Sequence, residues 1–227
     1  MAVNFMEDFD FSTLSHYRSG GAVRPNPDQF VGNLEIAGKN LAFIKQKRDT
    51  IDYTADGYVY ASGKKRPGEN LLIILESPHR LEYNARGYPR GLAMGKTGDH
   101  FFNLFPHALI HSPFKIEDGD YDVIFANGVQ YQASCGMQPL NRKIRDKNWL
   151  DIYENHGGEM DFKRRIRHLN PRYIINLCTG GRNPRGLRKR IDRTLDDMGY
   201  QSGRDYTEGN HPAAWERHGD ISGAKIY

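Results

Sequence analysis

Glu76, Ser77 and His79 follow directly on five consecutive apolar residues, 71–75. A buried strand ordinarily runs into a polar turn, yet this one delivers a carboxylate, a hydroxyl and an imidazole to a single spot. Two other apolar segments and one further short stretch end in the same manner. The segment DVIFAN ends on Asn127, and RYIINLC runs into Thr179, Gly180 and Gly181. A segment near 204–207 is followed by Asn210, His211 and Trp215. A carboxylate, an amide and an imidazole together suit cleavage of a base–sugar bond in DNA. The sugar becomes oxocarbenium-like, which a carboxylate stabilises while orienting water. The base departs with negative charge, which a histidine donor to its carbonyl oxygen offsets. An amide reads the hydrogen-bonding edge of the base, which must first be flipped from the stack. Each residue also has a plainer reading. Glu76 could accept a strand-end hydrogen bond, Asn127-Gly128 is an ordinary turn pair, and Met94 and Trp215 could be core.

The elements that must position these groups follow from hydrophobic pattern. Residues 71–75, 122–127 and 172–178 are short and rich in apolar and β-branched residues, so they read as strands buried on both faces. Helical spacing separates them: Phe101, Phe102, Leu104 and Phe105 in one segment, Phe162, Ile166 and Leu169 in a second. A third holds Leu187, Ile191, Leu195 and Met198, with Pro184 near its start. Alternating strands and helices predict an α/β fold: three αβα layers around a central, mostly parallel four-stranded sheet. In such a sheet ligands bind beyond the carboxyl ends of the strands, where all the residues above fall. Residues 28–47 read as a helix, on Phe30, Leu34, Ile36, Leu41, Phe43 and Ile44. The expected organisation is an N-terminal extension, 1–65, packed on a compact domain, 66–227.

Composition bounds the alternatives. The chain has 227 residues, 38% hydrophobic and 26% charged, which predicts a globular domain. No apolar run approaches the ~18 residues of a membrane span, and the acidic N-terminus lacks the order of a secretion signal. Two cysteines, Cys135 and Cys178, form neither a disulfide framework nor a metal spacing, so the expectation is a cytoplasmic protein without metal or cofactor. No phosphate-binding glycine loop is present, and Pro78 directly after Ser77 argues against a nucleophile elbow. Formal net charge is +4, but residues 163–193 hold eleven Lys or Arg against one acid, Asp192. So one-sided a stretch predicts a polyanion partner, with Arg182, Arg185 and Arg188 beside Gly180 and Gly181 as candidate phosphate contacts.

The order of these pieces resembles the uracil-DNA glycosylase superfamily over about residues 70–216. Glu76 in LESPH stands where that family has GQDPYH or GEAPG, and matches the Glu of the latter. GLAMGKTGDHFFNLF is similar to its GLAF or GRPF segment. Asn127 in VIFAN falls at its base-reading asparagine, and His211 in NHPAA at the histidine of its HPS-type loop. The resemblance implies Glu76, Ser77 and His211 as catalytic residues, and Asn127, His79 and Met94 as contacts to the base. Trp215 becomes a candidate to fill the gap left by that base. Departures carry information as well. Ser77 replaces the aspartate of GQDPYH, Met94 replaces the aromatic that stacks on uracil, and His79 replaces the tyrosine that narrows the pocket. The iron–sulfur cysteines of the GEAPG branch are absent.

These departures predict a roomier pocket for a modified pyrimidine. Some members of the superfamily excise glucosylated hydroxymethylcytosine from phage DNA in bacterial defence. The expectation is therefore a monofunctional DNA glycosylase, monomeric and without an obligate protein partner, with DNA as its partner. Lys96 is the residue nearest to supporting a lyase step. The alternative is a DNA-binding or nucleotide-recognition module of the same fold without cleavage.

Overall fold

The computed structural model describes residues 25–45, 58–59, 69–133, 142–180, 186–217 and 219–227. Strands β1 (Asp28–Ala37), β2 (Asn40–Lys45) and β3 (Tyr58–Val59) precede β4 (Glu69–Leu75). Helix α1 (Lys96–Ile110), strand β5 (Gly119–Asn127) and helices α2 (Arg142–Asn155) and α3 (Gly158–Leu169) follow. Strand β6 (Tyr173–Asn176), helix α4 (Leu187–Asp197) and strand β7 (Tyr206–Glu208) complete the order. The chain is α/β. One sheet runs β2-β1-β5-β4-β6-β7, with β3 also paired to β1. The strands β5, β4, β6 and β7 are mutually parallel. The sheet is thus larger than the four strands expected, because β1 extends it antiparallel to β5 and β2 antiparallel to β1.

Strand alternation explains the layers. Leu71, Ile73, Leu75, Val123 and Phe125 share one buried cluster with Phe101 and Phe105 of α1. Leu72, Ile74, Ile124 and Ala126 share the opposite cluster with Trp149 of α2, Phe162 of α3 and Ile191 of α4. Residues 71–74 are fully buried, which makes truncating any of these aliphatic side chains to alanine worth about 2–5 kcal/mol.

The helix expected over 28–47 is instead a hairpin. Leu34 and Ile36, then Leu41 and Phe43, recur at the strand period of two, with Asn33, Glu35 and Ala42 between or beside them. Gly38, at φ 61°, supplies the left-handed turn between Ala37 and Asn40. Gly32 is required by close approach, since a Cβ there would lie 2.5 Å from the carbonyl oxygen of Ile44. The hairpin is tied to the far layer by Asp28, whose two oxygens take Nη1 of Arg165 at 2.7 and 2.9 Å. Helix α2 was not anticipated. Its charged sequence hides an apolar face of Trp149, Ile152 and Tyr153, all buried.

Candidate active site

Glu76 is the first residue beyond β4, and its backbone is held from two sides. Its carbonyl oxygen accepts the indole N–H of Trp149 at 2.5 Å and the backbone N–H of Val129 at 3.1 Å. The second contact comes from the corner after β5, where Gly128 donates to the carbonyl of Leu75 at 2.8 Å. Gly128 permits this closeness. A Cβ there would sit 2.9 Å from both Trp149 and Ile191, so packing, rather than a left-handed turn, demands glycine.

The Glu76 side chain faces a guanidinium and an imidazole. Oε1 lies 3.5 Å from Nη1 of Arg145, and Oε2 lies 3.2 Å from Nε2 of His211. Burial alone would push its carboxyl up, but His211 and Arg145 outweigh burial and bring it down to about 2. Arg145 is the permanent part of this, being charged at every working pH. It is itself buried and fixed by Asp146, whose Oδ1 takes Nε at 2.8 Å and Nη2 at 2.5 Å. Glu76 is therefore an ionised carboxylate, unsuited to act as an acid.

Both pocket histidines adopt one device. Nδ1 of His211 accepts the backbone N–H of Ala213 at 3.2 Å, capping a short 3₁₀ turn at Pro212–Ala214. Nδ1 of His79 accepts the N–H of Leu81 at 3.2 Å, capping another at Arg80–Glu82. An imidazole accepting at Nδ1 keeps its proton on Nε2, so each ring is oriented as a donor. His79 titrates below the ordinary imidazole value. Loss of solvent lowers it most, Glu76 opposes this, and Arg80 adds to it.

These groups meet in a cavity of about 590 Å³ at the carboxyl ends of the strands. Glu76, Ser77, His79, Met94, Gly180 and His211 all line it. Lys96, Thr97, Arg145, Thr179 and Arg217 line it too. A larger hollow of about 740 Å³ lies at the opposite strand ends, beside Glu69 and Arg172, and holds none of the expected residues. Among the described residues, Nδ2 of Asn127 and Oγ1 of Thr179 are buried without a hydrogen-bond partner, and Oε2 of Glu76 has only the imidazole of His211 beside it. Native interiors leave few such atoms unpaired. Asn127 does not line the cavity. It is 1% exposed and pairs across the ladder with Leu75, which does line it.

Two expected DNA contacts are corrected. Trp215 is fully buried, stacks on Phe101 at 5.9 Å and donates its indole N–H to the carbonyl of Asn210 at 2.6 Å. It is a core residue that anchors the His211 loop. Arg188 is turned inward, with Nε on the carbonyl of Cys178 at 2.9 Å and Nη1 3.6 Å from Glu208. Gly181, Arg182 and Arg185 lie outside the described residues. The basic run is also less bare in space than in sequence. Lys163, Arg164, Arg165, Arg172 and Arg190 pair with Glu159, Asp161, Asp28, Glu117 and Glu154. All of these acids lie outside 163–193, which is why sequence alone hid them.

Arg145 is the site residue that sequence reasoning missed. It precedes Trp149 by one helical turn, and that i, i+4 spacing was the available signal. Among the described residues no group of three or more potential ligands could hold a metal ion, and no helix is long and apolar enough to cross a membrane. No protein-family model, curated protein or solved structure matches the chain.

Proposed function

We propose that the chain is a monofunctional DNA glycosylase that hydrolyses the N-glycosidic bond of a flipped pyrimidine. The proposed substrate is a modified base, such as glucosylated hydroxymethylcytosine in phage DNA. The observation that carries this is the Glu76–His211 pair, 3.2 Å apart, at a cavity of about 590 Å³. That volume falls in the ~300–1,000 Å³ range of small-molecule sites. The resemblance at Glu76 and His211 supports the same reading.

The bond between C1′ and the base nitrogen breaks, and its electron pair leaves with the base. Nε2–H of His211 donates to the base oxygen on which the negative charge gathers. The Glu76 carboxylate stabilises the oxocarbenium-like sugar. Held near a pKa of 2, it acts by charge and by orienting water. Water adds to C1′, its released proton neutralises the base, and the products are a free base and an abasic site. The buried hydroxyl of Thr179, which lines the cavity, is a group that such a ligand would satisfy.

The test is to incubate the protein with duplex DNA carrying uracil, hydroxymethylcytosine or glucosylated hydroxymethylcytosine and then cleave abasic sites with alkali. Strand cleavage at the modified base supports the proposal, and intact DNA from all three contradicts it. Borohydride trapping addresses Lys96, which lines the cavity. A covalent protein–DNA adduct would contradict the monofunctional assignment.

A second reading, recognition without cleavage, is favoured by the guanidinium of Arg145 and the imidazole of His211 already engaging Glu76 at 3.5 and 3.2 Å. Tight, salt-sensitive DNA binding with no abasic product supports it.

A further inference from the structure

The corrected basic run leaves open which surface meets the nucleic acid, and the segment directly after the catalytic strand end answers it. We propose that residues 79–90 engage duplex DNA at the mouth of the cavity, with Arg80, Arg86 and Arg90 on phosphates and Leu81 entering the base stack. The proposal rests on the nucleobase reading of the cavity only for Leu81; the charge argument stands apart from it.

The segment is a built excursion. After the turn at Arg80–Glu82 it folds back on itself through a bridge between Tyr83 and Pro89. Oδ1 of Asn84 accepts the backbone N–H groups of Arg86 at 2.9 Å and Tyr88 at 3.0 Å. Gly87, at φ 73°, makes the tip. The N–H of Arg90 closes the base on the carbonyl of Glu82 at 2.7 Å.

Its charge is one-sided in space as well as in sequence. Between residues 77 and 98 stand four Lys or Arg, at 80, 86, 90 and 96, and one acid, Glu82. Glu82 is only 5% exposed and turned inward, with Oε2 3.5 Å from Nδ2 of Asn26. Arg80, Arg86 and Arg90 are exposed, and none is in an ion pair among the described residues. Unneutralised arginines displace counterions from phosphates, whereas arginines already paired to carboxylates do so poorly. Leu81 stands among them at 56% exposure and lines the cavity mouth. Proteins that kink DNA from the minor groove insert apolar side chains between base steps, and extruding a base opens a gap of that kind. Leu81 is apolar, outward and adjacent to the cavity, as that role requires, whereas Trp215 is buried.

The test compares duplex DNA binding across salt for the wild type, for R80Q/R86Q/R90Q and for a control, R167Q/K189Q/R193Q, drawn from exposed cations of the 163–193 run. The first triple should lower the slope of log K against log salt by about 2–3, at ~0.9 per phosphate lost. R80K/R86K/R90K should restore it, and the control should keep the wild-type slope. A change confined to the control, or no DNA binding by the wild type at low salt, would overturn the proposal. For Leu81, 2-aminopurine beside the target pyrimidine should brighten with wild type and stay dark with Leu81→Ala. Equal brightening overturns the wedge. Neither readout needs excision. Uncut DNA with the expected slopes would sink only the enzyme reading, and excision with an unchanged slope would sink only this one.

Discussion

The indole nitrogen of Trp149 lies 2.5 Å from the carbonyl oxygen of Glu76, joining helix α2 to the end of the central strand β4. The same helix carries Arg145, which faces the carboxylate of that same glutamate at 3.5 Å. One helix therefore fixes both the backbone and the charge of the residue on which the proposed chemistry depends. Trp149→Phe keeps the ring that stacks on Tyr153 at 4.4 Å and removes only the donor. Urea unfolding should show a loss of about 1 kcal/mol, the net worth of one hydrogen bond, because the N–H of Val129 still satisfies the carbonyl. Base excision under single turnover should fall further than the folded fraction does.

Arg145→Gln removes the permanent cation beside Glu76. The depressed carboxyl contributes stability above its ordinary range, and that stability is lost as pH falls toward about 2. Without Arg145 the titration moves upward. The rate–pH profile should gain an acid limb that the wild type lacks between pH 4 and 7, where its Glu76 stays ionised. Superimposable profiles would separate Arg145 from the charge of Glu76.

Asp192 has the opposite sign. Burial raises its carboxyl most, the amide of Asn176 at 2.8 Å opposes this, and the result is about 6. The folded protein therefore holds a proton that the unfolded chain has released, and stability falls as pH rises from the ordinary carboxylate range to about 6. Asp192→Asn retains an acceptor for Asn176. It should raise Tm at neutral pH, by an amount equivalent to about 1 kcal/mol after allowing for solvent screening, and flatten that pH dependence.

Gly128→Ala places a methyl 2.9 Å from both Trp149 and Ile191. Overpacking there should cost about 1–3 kcal/mol. Because the same corner holds Glu76 through Val129, excision should decline with it. Calorimetry and the abasic-site assay on one preparation check both.

Much of this was legible because parallel strands buried on both faces leave continuous apolar runs. Residues 71–75 and 122–127 could be read so, and with them the strand ends that carry Glu76 and Asn127. The β1–β2 hairpin was misread because Val31 and Ile44 fall out of the alternation that Leu34, Ile36, Leu41 and Phe43 keep. Pairings over long separations were invisible. Asp28 and Arg165 stand 137 positions apart, and such acids neutralise a run that looks bare in one dimension. Arg145 reaches the cavity only because Trp149 seats its helix, a tertiary fact with a faint local trace. Trp215 follows the expected loop, but its ring completes the core against Phe101.

The most direct test of the central claim is the single-turnover rate of abasic-site formation in duplex DNA containing glucosylated hydroxymethylcytosine, measured for wild type, Glu76→Gln and His211→Ala. The account predicts measurable wild-type excision and a loss of about 10²-fold or more in each variant, with melting curves that still show a folded protein. Wild-type rates retained by both folded variants, or no excision by the wild type, would contradict it.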